Sequence, residues 1–193
     1  MKNTNENRHK EILECAVELL AQEGAQGMTM RKLANTSGIS LGHLQYYFKD
    51  KNTLYKATIN WYLEEYAQRL LALKPTENMS PDNLEEFFLE LLVEGSQSNE
   101  AIVIKEFWAL SSRSEELREY MTNFYELFQN MLTMFLSYHF SHATSEKINW
   151  VATLLLNYFE GYLVTQPNIS LPRKEIAQQL SQTISLLLAE EDT

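Results

Sequence analysis

The 193-residue chain has one cysteine, six glycines and four prolines, and it contains no long apolar run. The single Cys15 excludes a disulfide framework and a cysteine-based zinc site. The scarcity of Gly and Pro, together with 45% apolar and 22% charged residues, excludes collagen and low-complexity sequence. Without a stretch of about 18 apolar residues, we expect no membrane span. We also expect no secretory signal, which makes the cytoplasm the expected compartment.

The acidic residues are distributed unevenly. A net charge of −10 opposes binding to nucleic acid by the chain as a whole. Residues 1–56, however, carry a net charge of +2, whereas residues 57–193 carry −12. Such an asymmetry indicates two functions. We therefore predict a small domain over residues 1–56 that can approach a polyanion, and a second domain over residues 57–193 that lies away from it.

Apolar residues recur at helical spacing along nearly the whole chain. N-cap residues and helix-ending glycines or prolines divide this pattern into segments. We find no strand pattern and no internal repeat, so the predicted fold class is all-α with about nine helices. The predicted helices cover approximately residues 8–23, 29–37, 40–48, 50–75, 80–95, 99–112, 114–139, 144–165 and 172–189.

Residues 29–48, TMRKLANTSGISLGHLQYYF, combine two short capped helices with a tight turn. Thr29 and Ser40 are of the N-cap type, and Gly38 can adopt the positive φ that a sharp turn requires. Ala34 is small where two helices would cross closely. This pattern is typical of a helix-turn-helix, in which the second helix enters the major groove of DNA.

The longer segment TMRKLANTSGISLGHLQYYFKDKNTLY resembles the DNA-binding segment of the tetracycline-repressor (TetR) family of transcriptional regulators. The resemblance rests on the glycine of the turn, the aromatic run that ends at Phe48, and Lys51 with Leu54 three residues later. It is specific over residues 8–57, and beyond them it rests on the number and length of helices. It implies a homodimeric DNA-binding regulator, in the usual case a repressor released by a small organic ligand, with no enzymatic activity and no cofactor.

The resemblance also implies which side chains meet DNA. Those expected at phosphates are Thr29, Ser40, Tyr47 and Lys51, and those expected in the groove are Gly42, His43, Gln45 and Tyr46. Arg31 and Leu41 complete the predicted interface. Many members carry a lysine at the position of Leu41 and a tyrosine at that of Gln45. Since Leu41 can meet a thymine methyl and Gln45 an adenine edge, the bases that are read cannot be transferred from the family.

Tight binding at physiological salt requires two copies of such a domain. One protomer offers ~3–4 phosphate contacts, whereas a dimer making ~6–8 would show a log–log salt slope of about −5 to −7. A symmetric dimer reads an inverted repeat. Apolar stripes on the last two predicted helices can pair with a second copy, or they can simply close the core of the monomer. These stripes are Val151, Leu154, Leu155, Tyr158 and Leu163, then Ile176, Leu180, Ile184 and Leu187.

Aromatic rings accompany one acid in the C-terminal part of the sequence. The candidate ligand-binding residues are Phe107, Trp108, Tyr125, Phe128, Tyr158, Phe159, Glu160 and Tyr162. Rings around a carboxylate can bind a cationic organic ligand through cation–π attraction. An aromatic core with a solvated acid explains each of these residues as well. The run KEFWALSSRSEELREYMTNFY also resembles regulators similar to the choline-responsive repressor of betaine synthesis.

Other functions are less well supported by the sequence. His139 and His142 are spaced to face one metal ion, but no third ligand is near, and a solvated helix end explains them. A helical enzyme would need a nucleophile or an acid–base pair, and no such motif is present. A regulator controlled by a protein partner, without a small ligand, remains an alternative.

Overall fold

The computed structural model describes residues 2–72, 84–94, 99–166, 168 and 171–189, except for the side chains of residues 2–6 and 100. Within these ranges the chain forms nine α-helices and no strand, which confirms the predicted all-α class. The helices are α1 (Lys2–Gly27), α2 (Met30–Thr36), α3 (Leu41–Tyr47), α4 (Lys51–Ala72), α5 (Leu84–Glu94), α6 (Glu100–Ser111), α7 (Glu115–His139), α8 (Ser145–Thr165) and α9 (Arg173–Leu187).

Polar side chains cap the N-termini of four helices, and two of them, Thr29 and Ser40, are the N-cap residues expected from the sequence. The side chains of Thr29 and Ser40 accept hydrogen bonds from the backbone N–H groups three residues later, at 3.2 and 3.1 Å. Asp50 and Thr144 do the same at 2.8 and 3.3 Å. These bonds satisfy N–H groups that have no partner within the helix. The predicted end of the fourth helix near residue 75, and both predicted ends of the fifth near residues 80 and 95, lie outside the described residues.

Gly24 interrupts α1, as its position after the apolar stripe predicts. Its backbone has φ 68° and ψ 176°, a conformation that is essentially restricted to glycine. A further turn follows, in which Met28 N–H donates to the Gly24 carbonyl at 3.1 Å. The chain then places Met28 in the core and reaches the cap of α2. The first helix is therefore longer than predicted but bent at the expected residue.

Two compact units divide the chain. The N-terminal unit comprises Met1–Tyr66 and Ile102–Thr122, and the C-terminal unit comprises Ala67–Ala101 and Asn123–Thr193. Most of α6 and the start of α7 therefore belong to the same unit as the helix-turn-helix segment. The predicted domains, residues 1–56 for DNA binding and residues 57–193 for dimerisation and ligand sensing, stay a prediction.

Each unit has its own core of apolar side chains. In the N-terminal unit α2 packs against α1 and α3, and Tyr62 of α4 meets Phe107 of α6 edge-on with 5.4 Å between ring centroids. In the C-terminal unit α5 packs against α9, and Phe87 stacks on Phe135 with 3.6 Å between centroids. None of the described helices is long and apolar enough to cross a bilayer.

Candidate nucleic-acid interface

The turn between α2 and α3 has the geometry that a helix-turn-helix requires. Gly38 adopts φ 66°, and Ile39 N–H donates to the Ala34 carbonyl at 2.9 Å. Arg8 of α1 also reaches this turn, where its guanidinium donates to the Ser37 carbonyl at 2.7 Å. The charge-assisted bond fixes the turn against α1. Arg8 lies 29 residues from its acceptor, so no local sequence pattern indicates this contact.

The outer face of α3 carries the residues predicted for the groove. Leu44 is fully buried and holds α3 in the core. Gly42, His43 and Gln45 are exposed, and Tyr46 is 76% exposed, which is exceptional for so large a ring. Leu41 is half-buried at the start of the helix. A short helix with this exposed face can enter a major groove, whose width admits one helix.

Tyr47 lies in a cluster of rings at the end of α3. The centroid of its ring is 5.4 Å from that of His43, 6.2 Å from that of His9, and 5.5 Å from that of Tyr46. His9 also packs on Phe48 at 5.0 Å. These contacts hold the half-buried Tyr47 ring in one orientation and thereby direct its hydroxyl group. His9, which comes from α1, was missed by the sequence analysis.

The two cap hydroxyls are oriented by the bonds that they accept. Because Thr29 and Ser40 accept from backbone N–H groups, the hydroxyl hydrogen of each can still be donated to a phosphate. Arg31 and Lys49 are exposed in the same unit. The neighbouring Lys32 instead forms an ion pair with Glu23. The predicted phosphate contacts of this group therefore have suitable donors, and they stay predictions.

Lys51 has a partner inside the protein. Its ammonium donates to the Ala25 carbonyl at 2.9 Å and lies 5.2 Å from the centroid of the Tyr55 ring. An ammonium has three donors, so this bond leaves two for a phosphate. The predicted DNA contact is compatible with the structure, but Lys51 also has a structural role that the sequence did not indicate.

Asp50 keeps a negative charge beside these cations. The Thr53 N–H donates to its carboxylate at 2.8 Å and the Thr53 hydroxyl at 2.9 Å. Both bonds favour the ionised form and lower the pKa of Asp50 below its ordinary value. Asp50 therefore occupies the N-terminus of α4, where a phosphate would otherwise be attracted.

Four of the predicted ligand residues meet inside the C-terminal unit, on α7 and α8. The Tyr125 hydroxyl donates to Glu160 at 3.3 Å, and Phe128 packs on Phe159 with 6.3 Å between centroids. Glu160 is only 7% exposed. Its burial raises the pKa to about 7, and the bond from Tyr125 opposes that shift only in part. A buried carboxyl group with a raised pKa, hydrogen-bonded to the Tyr125 hydroxyl, therefore lies between α7 and α8.

The other four predicted ligand residues lie elsewhere. Phe107 and Trp108 belong to the N-terminal unit, where Phe107 is fully buried against Tyr62. Tyr158 is on the outer face of α8 and stacks on Tyr162 with 6.4 Å between centroids. Burial raises the pKa of Tyr158 above its ordinary value, with a smaller contribution from Tyr162. These four residues stay candidates, but the structure gives them surroundings different from that of Glu160.

The outer faces of α8 and α9 carry exposed apolar side chains. On α8, Trp150, Leu154 and Tyr158 recur every fourth residue and are 56%, 41% and 38% exposed. Leu186 of α9 is 78% exposed. A groove of about 290 Å³ lies between the two helices. Its lining residues are Tyr158, Leu171, Glu175, Ile176, Gln179, Leu180 and Thr183.

This face differs from the stripes predicted for dimerisation. Leu154 and Tyr158 are exposed on α8 as that prediction requires, and Ile176, Leu180 and Leu187 are half-buried on α9. The other predicted members are buried within the monomer, as the alternative interpretation proposed. They are Val151, Leu155, Leu163 and Ile184. Trp150 belongs to the exposed face and was missed, although its spacing of four from Leu154 would have indicated it.

The two histidines near the end of α7 point to different backbone carbonyls. His139 Nδ1 is 3.0 Å from the Phe135 carbonyl oxygen, and His142 Nε2 is 2.8 Å from that of Leu188. Among the described residues, no group of three or more potential metal ligands is found. Both side chains thus have structural contacts at the end of the helix.

Comparisons with known proteins agree with this geometry. Residues 12–58 match the family of bacterial regulatory proteins called the tetR family. The chain is 32% identical to an uncharacterized HTH-type transcriptional regulator in the dhlA 5' region of Xanthobacter autotrophicus, over 93% of this chain and 88% of that protein. It is 26% identical to the HTH-type transcriptional regulator BetI of Serratia proteamaculans, over 66% of this chain and 67% of that one.

A solved structure shows the same fold. The TetR transcription regulator from Haloarcula marismortui superposes with a TM-score of 0.75 at 18% identity, covering 95% of this chain and 97% of that chain. These relatives and neighbours are regulators rather than enzymes, and so is this chain. The helix-turn-helix geometry and the full-length similarity together lead to one conclusion: the chain belongs to the tetR family of bacterial regulatory proteins and is a DNA-binding transcriptional regulator.

Proposed function

We propose that the protein is a homodimeric repressor that binds an inverted-repeat operator in the cytoplasm and is released by a small organic ligand. The observation that carries the proposal is the outer face of α3. Its Gln45 and Tyr46 are exposed to solvent, while Leu44 is buried and Arg8 bonds to the turn that precedes the helix. Exposed polar and aromatic side chains on such a helix can form hydrogen bonds and contacts with base edges in the major groove.

The test is selection of random duplex DNA by the purified protein at moderate salt, followed by sequencing of the retained fraction. We expect enrichment of an inverted repeat, because two symmetric protomers bind two symmetric half-sites. If a folded, dimeric preparation retains no preferred sequence, the helix-turn-helix does not read bases and the operator part of the proposal is wrong.

Two variants then separate base reading from phosphate binding. Gln45→Ala should relax the preference at one or two positions of the repeat, at a cost of about 1–3 kcal/mol there, because an amide pairs with a particular base edge. Tyr47→Phe should weaken binding to the repeat and to a scrambled duplex alike, because it removes one hydroxyl and keeps the ring cluster. Affinities for single-base variants of the repeat provide the measurement. An unchanged preference in Gln45→Ala would contradict the placement of α3 in the groove.

We assign the outer face of α8 and α9 to a second copy of the chain. Trp150, Leu154 and Tyr158 form an apolar stripe about two turns long, Leu171 lines the same groove as Tyr158, and Leu186 of α9 is also exposed. Water-exposed aromatic and aliphatic groups of this extent mark an interaction surface. Two helices from each copy can form a four-helix packing, which reaches the roughly 1,200–2,000 Å² typical of specific interfaces. A two-fold pairing also supplies the symmetry that an inverted repeat requires.

We assign the ligand site to the surroundings of Glu160. Glu160 has one hydrogen-bond partner in the described structure, Tyr125, and its neighbour Phe159 packs on Phe128 of α7. A buried carboxyl group on such an aromatic helix pair suits an organic cation. The similarity to BetI extends beyond the helix-turn-helix, over 66% of this chain. A ligand acts only through its different affinities for two states, so a hundredfold loss of operator affinity requires about 2.7 kcal/mol of coupling.

Ligand binding can be tested by thermal shift. We expect quaternary amines to raise the midpoint of unfolding, and neutral isosteres of the same size to leave it unchanged, because only the cation compensates the buried charge of Glu160. The increase should be larger at pH 8 than at pH 6, since the carboxyl group loses its proton near pH 7. The Glu160→Gln variant is the matched control and should lose the response. A chemically broad library without any stabilising compound would favour a regulator controlled by a protein partner.

A further inference from the structure

The bend after α1 receives side chains from two other helices. We call residues 24–27 the elbow. Glu106 of α6 accepts a hydrogen bond from the Ala25 N–H at 2.9 Å. On the other side of the same residue, the Lys51 ammonium and the Tyr55 hydroxyl of α4 donate to the Ala25 carbonyl at 2.9 and 2.5 Å. All four residues belong to the N-terminal unit.

These bonds satisfy backbone groups that the bend removes from the helical pattern. Because Gly24 has φ 68° and ψ 176°, the chain there leaves the helical conformation, and Glu106 supplies an acceptor for the next N–H. The approach is close, since a Cβ atom at Gly24 would lie 3.2 Å from Glu106 Oε1. A carboxylate on a backbone N–H is among the stronger hydrogen bonds in proteins. The elbow is therefore held from both sides by charged groups.

The elbow leads directly into the DNA-binding segment. Two residues later comes Thr29, the cap of α2, and between them Met28 is fully buried. Lys51 donates to the carbonyl of Ala25, whose N–H donates to Glu106. It is the first residue of α4 and a predicted phosphate contact. A shift of Ala25 would thus move the start of α2 and the ammonium of Lys51 together.

We propose that Glu106 is a positioning residue for DNA binding, which fixes the elbow and through it the start of α2 and the side chain of Lys51. The direction of the change in DNA affinity on removal of the Glu106 carboxylate distinguishes this positioning role from a purely electrostatic effect. Removing a carboxylate from a unit that binds a polyanion should strengthen binding if charge alone matters. Loss of positioning should weaken it.

Three variants provide the binding test. Glu106→Ala removes the acceptor, Glu106→Gln keeps an amide oxygen as acceptor without the charge, and Glu119→Ala removes an exposed carboxylate of the same unit. The probes are the inverted-repeat duplex selected by the wild-type protein and a scrambled duplex. For Glu106→Ala we expect about a tenfold loss on the selected duplex, whereas Glu106→Gln should stay within about threefold of the wild type. Glu119→Ala should bind at least as well as the wild type.

Hydrogen exchange provides a second measurement that needs no DNA. In Glu106→Ala the amides of Ala25 and Leu33 should exchange about tenfold faster, while that of Leu132 in the C-terminal unit should not change. Glu106→Gln should restore slow exchange. The proposal is overturned if Glu106→Ala binds the selected duplex as well as the wild type, if Glu106→Gln loses as much as Glu106→Ala, or if exchange rises equally at Leu132. If the wild-type protein selects no duplex, the proposed binding to an inverted-repeat operator is wrong. Hydrogen exchange would then still show whether Glu106 fixes the elbow and the start of α2.

Discussion

Replacement of Leu154 by glutamate is expected to convert the proposed dimer into monomers and to remove operator binding at low protein concentration. Leu154 lies between Trp150 and Tyr158 on the exposed face of α8 and is 41% exposed in the monomer, so a polar side chain there leaves the fold intact. In the dimer, each copy would bury an unpaired carboxylate close to its symmetry mate. Changing a central interface residue in both copies costs about 4 kcal/mol, or roughly a thousandfold in the dimer Kd.

Sedimentation velocity over a range of concentrations measures the change, with circular dichroism to verify the helical content. The matched control is Asn130→Glu, which adds the same charge at an exposed position of α7 in the same unit. We expect Asn130→Glu to remain dimeric and to bind the selected duplex normally. A Leu154→Glu protein with an unchanged dimer Kd would show that the two copies associate through another surface.

Glu160→Gln is expected to stabilise the protein above pH 7 and to have little effect near pH 4.5. Burial raises the pKa of Glu160 from an ordinary 4.5 to about 7. The folded protein therefore holds this proton more tightly than the unfolded chain does. Stability from this group is complete below the unfolded pKa, declines as the pH rises from about 4.5 to about 7, and changes no further above that.

The side chain of the glutamine variant is neutral at every pH, so the variant does not lose stability by ionisation of a buried carboxyl group. From the two pKa values, the difference in unfolding free energy between variant and wild type should grow by about 3 kcal/mol between pH 4.5 and pH 8. Urea denaturation of both proteins at a series of pH values measures this difference, and other titrating groups cancel in the comparison. A difference that is constant across this range would mean that Glu160 is ionised at its ordinary pKa and is accessible to water.

Helix boundaries and the helix-turn-helix could be predicted because local interactions determine them. Thr29 and Ser40 bond to N–H groups three residues away, and Gly38 adopts the positive φ that the sharp turn between the two helices requires. The exposed face of α3 likewise follows from the spacing of Leu44 within a short helix. These features depend on neighbouring residues, and the sequence displays neighbours directly.

The sequence could not predict which face of α8 is buried in the monomer. Apolar residues occupy positions 150, 151, 154, 155, 158 and 159, which form two adjacent stripes with the same spacing. Val151 and Leu155 are buried in the monomer, whereas Leu154 stays exposed. Only the packing of the other helices against α8 distinguishes the two stripes, because each is equally apolar.

The sequence by itself determined an all-α regulator with a helix-turn-helix near residues 29–48, and the residues whose side chains face outward from its second helix. The tertiary structure decided which distant groups support that helix: Arg8 on the Ser37 carbonyl across 29 residues, and Glu106 on the Ala25 N–H across 81. It also decided that Glu160 is a buried acid, bonded to Tyr125 across 35 residues. The physical reason is that burial and long-range hydrogen bonds arise from the packing of whole helices, which no local sequence pattern specifies.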